Sequence, residues 1–138
     1  MLSFDLNWLA VIVVAVVNFF IGFLWYGPIF GKTWMKAMKF TSKDIEASKK
    51  KGMAGMMFIS FITSLITTFV LAVLLKSTGT IDIVSGILWG VFVWLGFFLV
   101  TTVSGILWES KSSKLFFLNA SYDLVRVVIM AVILVVWM

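Results

Sequence analysis

The sequence predicts an all-α polytopic membrane protein, with four transmembrane helices and a short amphipathic interfacial helix between the first and second. Three observations predict it. The 138 residues are 62% hydrophobic and 12% charged, with a mean hydropathy of +1.15, more apolar surface than a soluble chain of this size can bury. Four stretches (6–31, 52–75, 83–108 and 115–138) are each long enough to cross about 30 Å of hydrocarbon, and the first three carry no charge. Of the 11 basic residues, all but Lys76 and Arg126 fall in the first and third loops. One domain, 1–138, follows.

The first span is marked by Asp5 and Trp8 at its start and by Trp25 and Tyr26 at its far end, where aromatic residues form interfacial belts. Gly27-Pro28 is expected to stop it, because proline lacks an amide donor and restricts the residue before it. With no basic n-region and no small-residue cleavage site, it reads as a retained helix. Ala15, Asn18 and Gly22 form one small and polar face. Asn18 is either interhelical hydrogen-bond glue or part of a site.

Residues 30–40 read as the interfacial helix. Phe30, Trp34 and Met38 recur every fourth residue, while Lys32, Lys36 and Lys39 form a separate basic stripe. Such a helix lies flat on lipid, aromatics inward and lysines toward anionic headgroups; a helix packed on a partner protein is the alternative. Thr41-Ser-Lys-Asp44 resembles a capping box, with Asp in place of the usual Glu. The second span carries Ser60, Thr63, Ser64, Thr67 and Thr68, a hydroxyl face that back-bonding to the preceding turn would also explain. Gly79 is the expected helix stop and Thr80 the next cap. In the third span Gly86-x-x-x-Gly90 permits close helix approach. The fourth ends at Trp137.

The two halves echo each other: Gly22-Phe23, Gly31 and Trp34 recur as Gly96-Phe97, Gly105 and Trp108. Duplication and chance similarity among apolar helices both account for this.

Lysine asymmetry orients the chain. The positive-inside rule puts the first and third loops in the cytoplasm and both termini outside, in a cell (inner) membrane. The formal charge of +5 therefore faces anionic lipid, and nucleic acid is not an expected partner. The chain has no cysteine and no histidine, which removes thiolate chemistry and the commonest general base. Asp5 and Asp82 lie on one side, Asp44, Glu46 and Glu109 on the other, and Asp123 alone at the midplane. No two form an acid–base pair. The expectation is no enzyme, no cofactor and no metal.

Asp123 and Arg126 lie near the middle of the fourth span. A charge there costs at least about 2.5–3.5 kcal/mol on insertion scales and normally has a partner inside the protein. Asn119, Tyr122, Asp123 and Arg126 share one helical face, with acid before base, the favoured order for a pair along a helix. Tyr122 and Asn119 are placed to donate to the carboxylate. The cluster is either a packing device for the fourth helix or an ion or ligand site, which Asn18, Ser64 and Thr67 would complete from the other spans.

The run Trp25-Tyr26-Gly27-Pro28-Ile-Phe30-Gly31-Lys32-Thr-Trp34 resembles the signature W-Y-G-P-x-F-G-x-x-W of a bacterial and archaeal family of small four-helix membrane proteins catalogued as a domain of unknown function. Asn7-Trp8-Leu9-Ala10-Val11 and Asn119-Ala120-Ser121-Tyr122 are similar to further parts of its pattern. The resemblance implies four spans and a bacterial or archaeal cell membrane. It implies no activity.

Two functions compete. One is a small oligomeric transporter or channel, a homo-oligomer because four helices enclose little. The other is a structural or regulatory membrane subunit in which the Asp123–Arg126 pair only fixes helix packing. A polar cavity reaching Asp123 would favour the first, and a dry, fully paired cluster the second.

Overall fold

The structure is a computed structural model that describes residues 1–38, 43, 52–109 and 113–137. Every regular element among them is helical: α1 (Trp8–Leu24), a π turn (Trp25–Ile29), α2 (Gly31–Met38), α3 (Met53–Ser77), α4 (Ile83–Val93), a second π turn (Trp94–Leu99), α5 (Val100–Glu109) and α6 (Ser113–Trp137). Four helices are long and apolar enough to cross a membrane: Trp8–Ile29, Ala54–Ser77, Ile83–Trp108 and Ser113–Trp137. Each predicted span is present. Lys39, Thr41, Ser42 and Asp44 of the capping box, and Lys49–Lys51 lie outside the described residues.

Caps set the boundaries. The Asn7 side chain accepts from Ala10 N–H, opening α1. At the end of α3, Thr80 N–H returns to the Leu75 carbonyl and Gly79 N–H to that of Lys76, with Gly79 at φ +67°. This is a Schellman ending, where the left-handed backbone favours glycine. Thr80 is consumed by that turn, so the expected Thr80 cap is corrected to Asp82, which accepts from Ser85 N–H at 2.9 Å. The same bond holds the Asp82 carboxyl below the usual carboxylate range.

Proline does not stop the first span where expected. Pro28 has no N–H for the carbonyl four residues back, and the helix widens instead. Phe30 N–H reaches the Trp25 carbonyl, five residues back, at 2.9 Å. The span runs on to Ile29 before α2 begins at Gly31. A Cβ on Gly31 would sit 3.1 Å from the Tyr26 carbonyl oxygen, so a side chain there would crowd the end of the π turn.

The fourth span is the hub. It packs on the first, the second and the third, while the first and second also pack on each other. Gly86 and Gly90 are buried in the seam between α4 and α6, where close approach was expected. The third span is otherwise peripheral, with 11% of its apolar window buried against 33% for the second and fourth.

The hydrophobic core sits at one end of the bundle, where Leu6, Val11 and Val14 meet Leu71, Ala72, Leu75, Met130, Ala131 and Leu134. Burial of apolar groups of this size contributes about 1.5–3 kcal/mol each in water, but in a bilayer the drive is packing, so small and interlocking side chains matter more. Two hydrogen bonds tie the same end: Ser3 N–H to Ser77 Oγ at 2.7 Å, and Asn7 Nδ2 to the Trp137 carbonyl at 3.1 Å. The other end is looser. Residues 54–60 of α3 are all exposed at the bundle surface, so the second span leaves its neighbours toward its lysine-flanked start.

The two halves are not environmentally alike. Gly22 lies against the Tyr122 hydroxyl, whereas a Cβ on its sequence counterpart Gly96 would meet nothing within 4 Å.

Candidate functional site

Each span brings at least one polar or aromatic group to the middle of the bundle. Arg126 Nε donates to Asp123 Oδ1 at 2.9 Å, one turn apart on α6. Arg126 Nη1 reaches across to Asn18 Oδ1 of α1, a long contact at 3.4 Å. Asn18 Nδ2 donates to Ser64 Oγ of α3 at 2.7 Å, and Ser64 Oγ donates to the Ala15 carbonyl at 2.7 Å. A continuous chain of donors and acceptors thus joins the fourth, first and second spans. The third supplies Phe98, whose ring centroid lies 4.8 Å from the Arg126 guanidinium carbon; Tyr122 faces the same carbon at 5.2 Å. Two aromatic rings stabilise a cation that has little water around it. The Arg126 and Asp123 side chains are 13% and 16% exposed, so the pair is largely withdrawn from its surroundings.

Trp25 and Tyr26, expected at the far end of the first span as belt residues, also form part of this junction. Trp25 Nε1 donates to the Leu118 carbonyl at 3.2 Å, and Tyr26 Oη donates to Asn119 Oδ1. In the second π turn Trp94 Nε1 donates to the Ala120 carbonyl at 2.9 Å. Both π turns therefore open with a tryptophan that grips α6 on either side of Asn119. A π turn inserts one extra residue and re-aims the side chains around it, which is why such turns collect at sites.

The expected donations from Tyr122 and Asn119 to Asp123 are absent among the described residues. Asn119 accepts from Tyr26 instead, and its side chain lines a separate hollow of about 200 Å³ bounded by Thr101, Thr102 and Leu115. Tyr122 lies edge-on to Tyr26, ring centroids 5.1 Å apart. Its hydroxyl occupies the space over Gly22, where a Cβ would come within 2.8 Å. Thr67 back-bonds to the Thr63 carbonyl, Thr68 to that of Ser64 and Thr63 to that of Ser60. Ser64 is the member of this hydroxyl face that reaches another helix.

A cleft of about 670 Å³ opens between the first, second and fourth spans. Arg126 and Asn18 line its inner end; Ser60, Thr63, Ser64 and Thr67 form one wall, and Phe19, Phe23, Met56 and Met57 supply apolar surface. Asp123 is not among its lining residues. Phe23, Met56 and Met57 are exposed, so the rim opens sideways at the bundle surface. Among the described residues no three acidic, histidine or cysteine side chains converge as metal ligands would.

Lys32 and Lys36 are exposed on α2 as the basic stripe requires. The aromatic edge turns to the bundle: Phe30 packs on Trp25 with ring centroids 4.7 Å apart, and Trp34 on Tyr26 at 5.7 Å.

These features define a four-span membrane protein with a polar junction at mid-span. The chain belongs to the family described as "Protein of unknown function (DUF1761)", which it matches over residues 9–135. It is 28% identical over 116 residues, 82% of this chain and 78% of the relative, to the UPF0591 membrane protein C15E1.02c of Schizosaccharomyces pombe (strain 972 / ATCC 24843). No solved structure matches the chain. The relative comes from a yeast, so the kinship carries a membrane and does not restrict it to bacteria or archaea.

Proposed function

We propose that this is a small transporter- or channel-like protein that takes a solute into the cleft between the first, second and fourth spans, and that it performs no enzymatic step. The observation that carries this reading is the cleft itself, which runs from an open rim to a cation near mid-span, lined by hydroxyls on one wall. A bundle that only needed to pack would gain by closing such a space, since unfilled volume forfeits contacts. The site comprises Asn18, Ser64, Thr67, Tyr122, Asp123 and Arg126, with Asn119 one step away through Tyr26. A homo-oligomer fits the largely unburied third span. Lysine distribution supports an orientation with the lysine-rich loops in the cytoplasm of a cell (inner) membrane and both termini outside.

Cysteine accessibility tests this directly, because the chain has no cysteine of its own. Single Thr63→Cys and Thr67→Cys variants in sealed vesicles should react with a charged, impermeant thiol reagent from the cytoplasmic side only. Failure of both positions to react from either side would mean a dry cleft and no solute path. Among the described residues every fully buried side-chain nitrogen or oxygen atom has a hydrogen-bond partner, which favours a second reading. In it the protein is a structural or regulatory subunit, and Asp123 with Arg126 only fixes packing.

The same orientation sets α2 on anionic headgroups. Changing Lys32, Lys36 and Lys39 to Gln should release that segment, since each lysine near such a surface contributes about 1 kcal/mol. The variant should be cut faster by protease than the parent in bilayers containing anionic lipid. Identical cleavage with and without that lipid would place α2 against protein instead.

A further inference from the structure

We infer that the cleft binds an amphipathic anion, with a carboxylate or phosphate head on Arg126 and an apolar tail leaving sideways into the bilayer. The inference rests on the reading of the cleft as a ligand site and names its ligand.

The head assignment follows from what Arg126 has left to give. A guanidinium offers five N–H donors in a planar fork. Nε is committed to Asp123, and Nη1 makes only the 3.4 Å contact to Asn18. Nη2 has no hydrogen-bond partner among the described residues, although Arg126 lines the cleft. Asp123 does not line it. A ligand entering therefore meets the cation of the pair and not the anion, and terminal guanidinium nitrogens suit the two oxygens of a carboxylate or phosphate. Asn18 Nδ2 keeps a second N–H, beyond its bond to Ser64, for a head's remaining acceptors, while the hydroxyls of Thr63, Ser64 and Thr67 already donate to carbonyls.

The tail assignment follows from the rim. Phe23, Met56 and Met57 line the cleft yet stay exposed at a surface that faces hydrocarbon. Met and Phe there adapt to a flexible chain. Lys32 and Lys36, exposed on α2 beside this end of the bundle, favour anions over cations in the approach. A cation of the same length would meet lysines first and a guanidinium last.

The test uses the full-length protein in phosphatidylcholine nanodiscs with radiolabelled laurate as the probe. Laurate should bind saturably. Dodecyltrimethylammonium, the same tail on a cation, should not displace it. Asp123→Asn combined with Arg126→Gln, which removes the cation while leaving no stranded charge, should weaken binding at least tenfold. Thr63→Trp, which fills the cleft from an exposed position and leaves the pair intact, should do the same even if the double variant folds poorly. Benzoate separates the sources: displacement by laurate alone assigns a ligand drawn from the bilayer, and equal displacement by benzoate assigns one arriving from water, with the anion head upheld in both. Absence of saturable laurate binding, equal affinity in the parent and Thr63→Trp, or displacement by the cation would each overturn the inference. Thiol reactivity at Thr63→Cys and Thr67→Cys without laurate binding would remove the anion and leave the solute path. Laurate binding without that reactivity would do the reverse.

Discussion

Replacing Arg126 by Gln while Asp123 stays should cost about 3–5 kcal/mol of stability, the penalty for stranding one member of a buried pair. Asp123→Asn should cost a similar amount, because the guanidinium then keeps its charge with only Asn18 and two aromatic faces to offset it. The double variant should regain most of the loss, since amides at both positions remain hydrogen-bonding and uncharged. Arg126→Lys should fall between, keeping the charge but losing the planar guanidinium beside the Phe98 and Tyr122 rings. Unfolding followed in bilayers and in detergent checks the order. Single variants as stable as the parent in both would mean that the pair is solvated and organises nothing. A double variant that is stable but inactive in cells would set the pair in the working site, whereas joint recovery would set it in the packing alone.

The second large effect lies in the glycine seam. A Cβ on Gly90 would approach the Val128 backbone Cα at 3.2 Å and the Val127 carbonyl oxygen at 3.5 Å, and neither can rotate away. Gly90→Ala should cost about 1 kcal/mol and Gly90→Leu about 3 kcal/mol, the range for overpacking a close contact. The third span packs chiefly on the fourth, so among the described residues little else retains it once they are forced apart. The Trp94 bond to Ala120 should break with the larger side chain, and tryptophan fluorescence should shift accordingly. Gly96→Leu is the control, because no atom lies within 4 Å of its Cβ position. A Gly90→Leu protein as stable as Gly96→Leu would refute the seam.

Hydropathy made the four spans legible because a bilayer requires long apolar runs, and runs of that length are rare for any other reason. The polar members of the junction were legible for the complementary reason. Asn18, Asp123 and Arg126 are costly at mid-span unless they meet something, and they do meet. The partners that are themselves apolar or aromatic were not. Phe98 is one of three phenylalanines in a greasy helix, and its position over a guanidinium leaves no trace in composition. Trp25 and Tyr26 carry the same residue types, at the same distance from a span end, as residues of an interfacial belt. Only the π turn, which adds a residue without changing hydropathy, turns them inward. The splay of α3 was hidden for a similar reason: an apolar face toward lipid and an apolar face toward protein read alike.

The hub position of the fourth span has a consequence for the order of assembly. A ribosome delivers the helices from the first onward, and the one that touches all the others comes after the three it gathers. The first and second spans can pair early through Asn18 and Ser64. The third must wait in the lipid with Gly86 and Gly90 uncovered, because its seam is made with a helix not yet synthesised. The bundle of these four spans is therefore completed in one decisive step, when a late helix arrives carrying both charges and finds its place already outlined by the others.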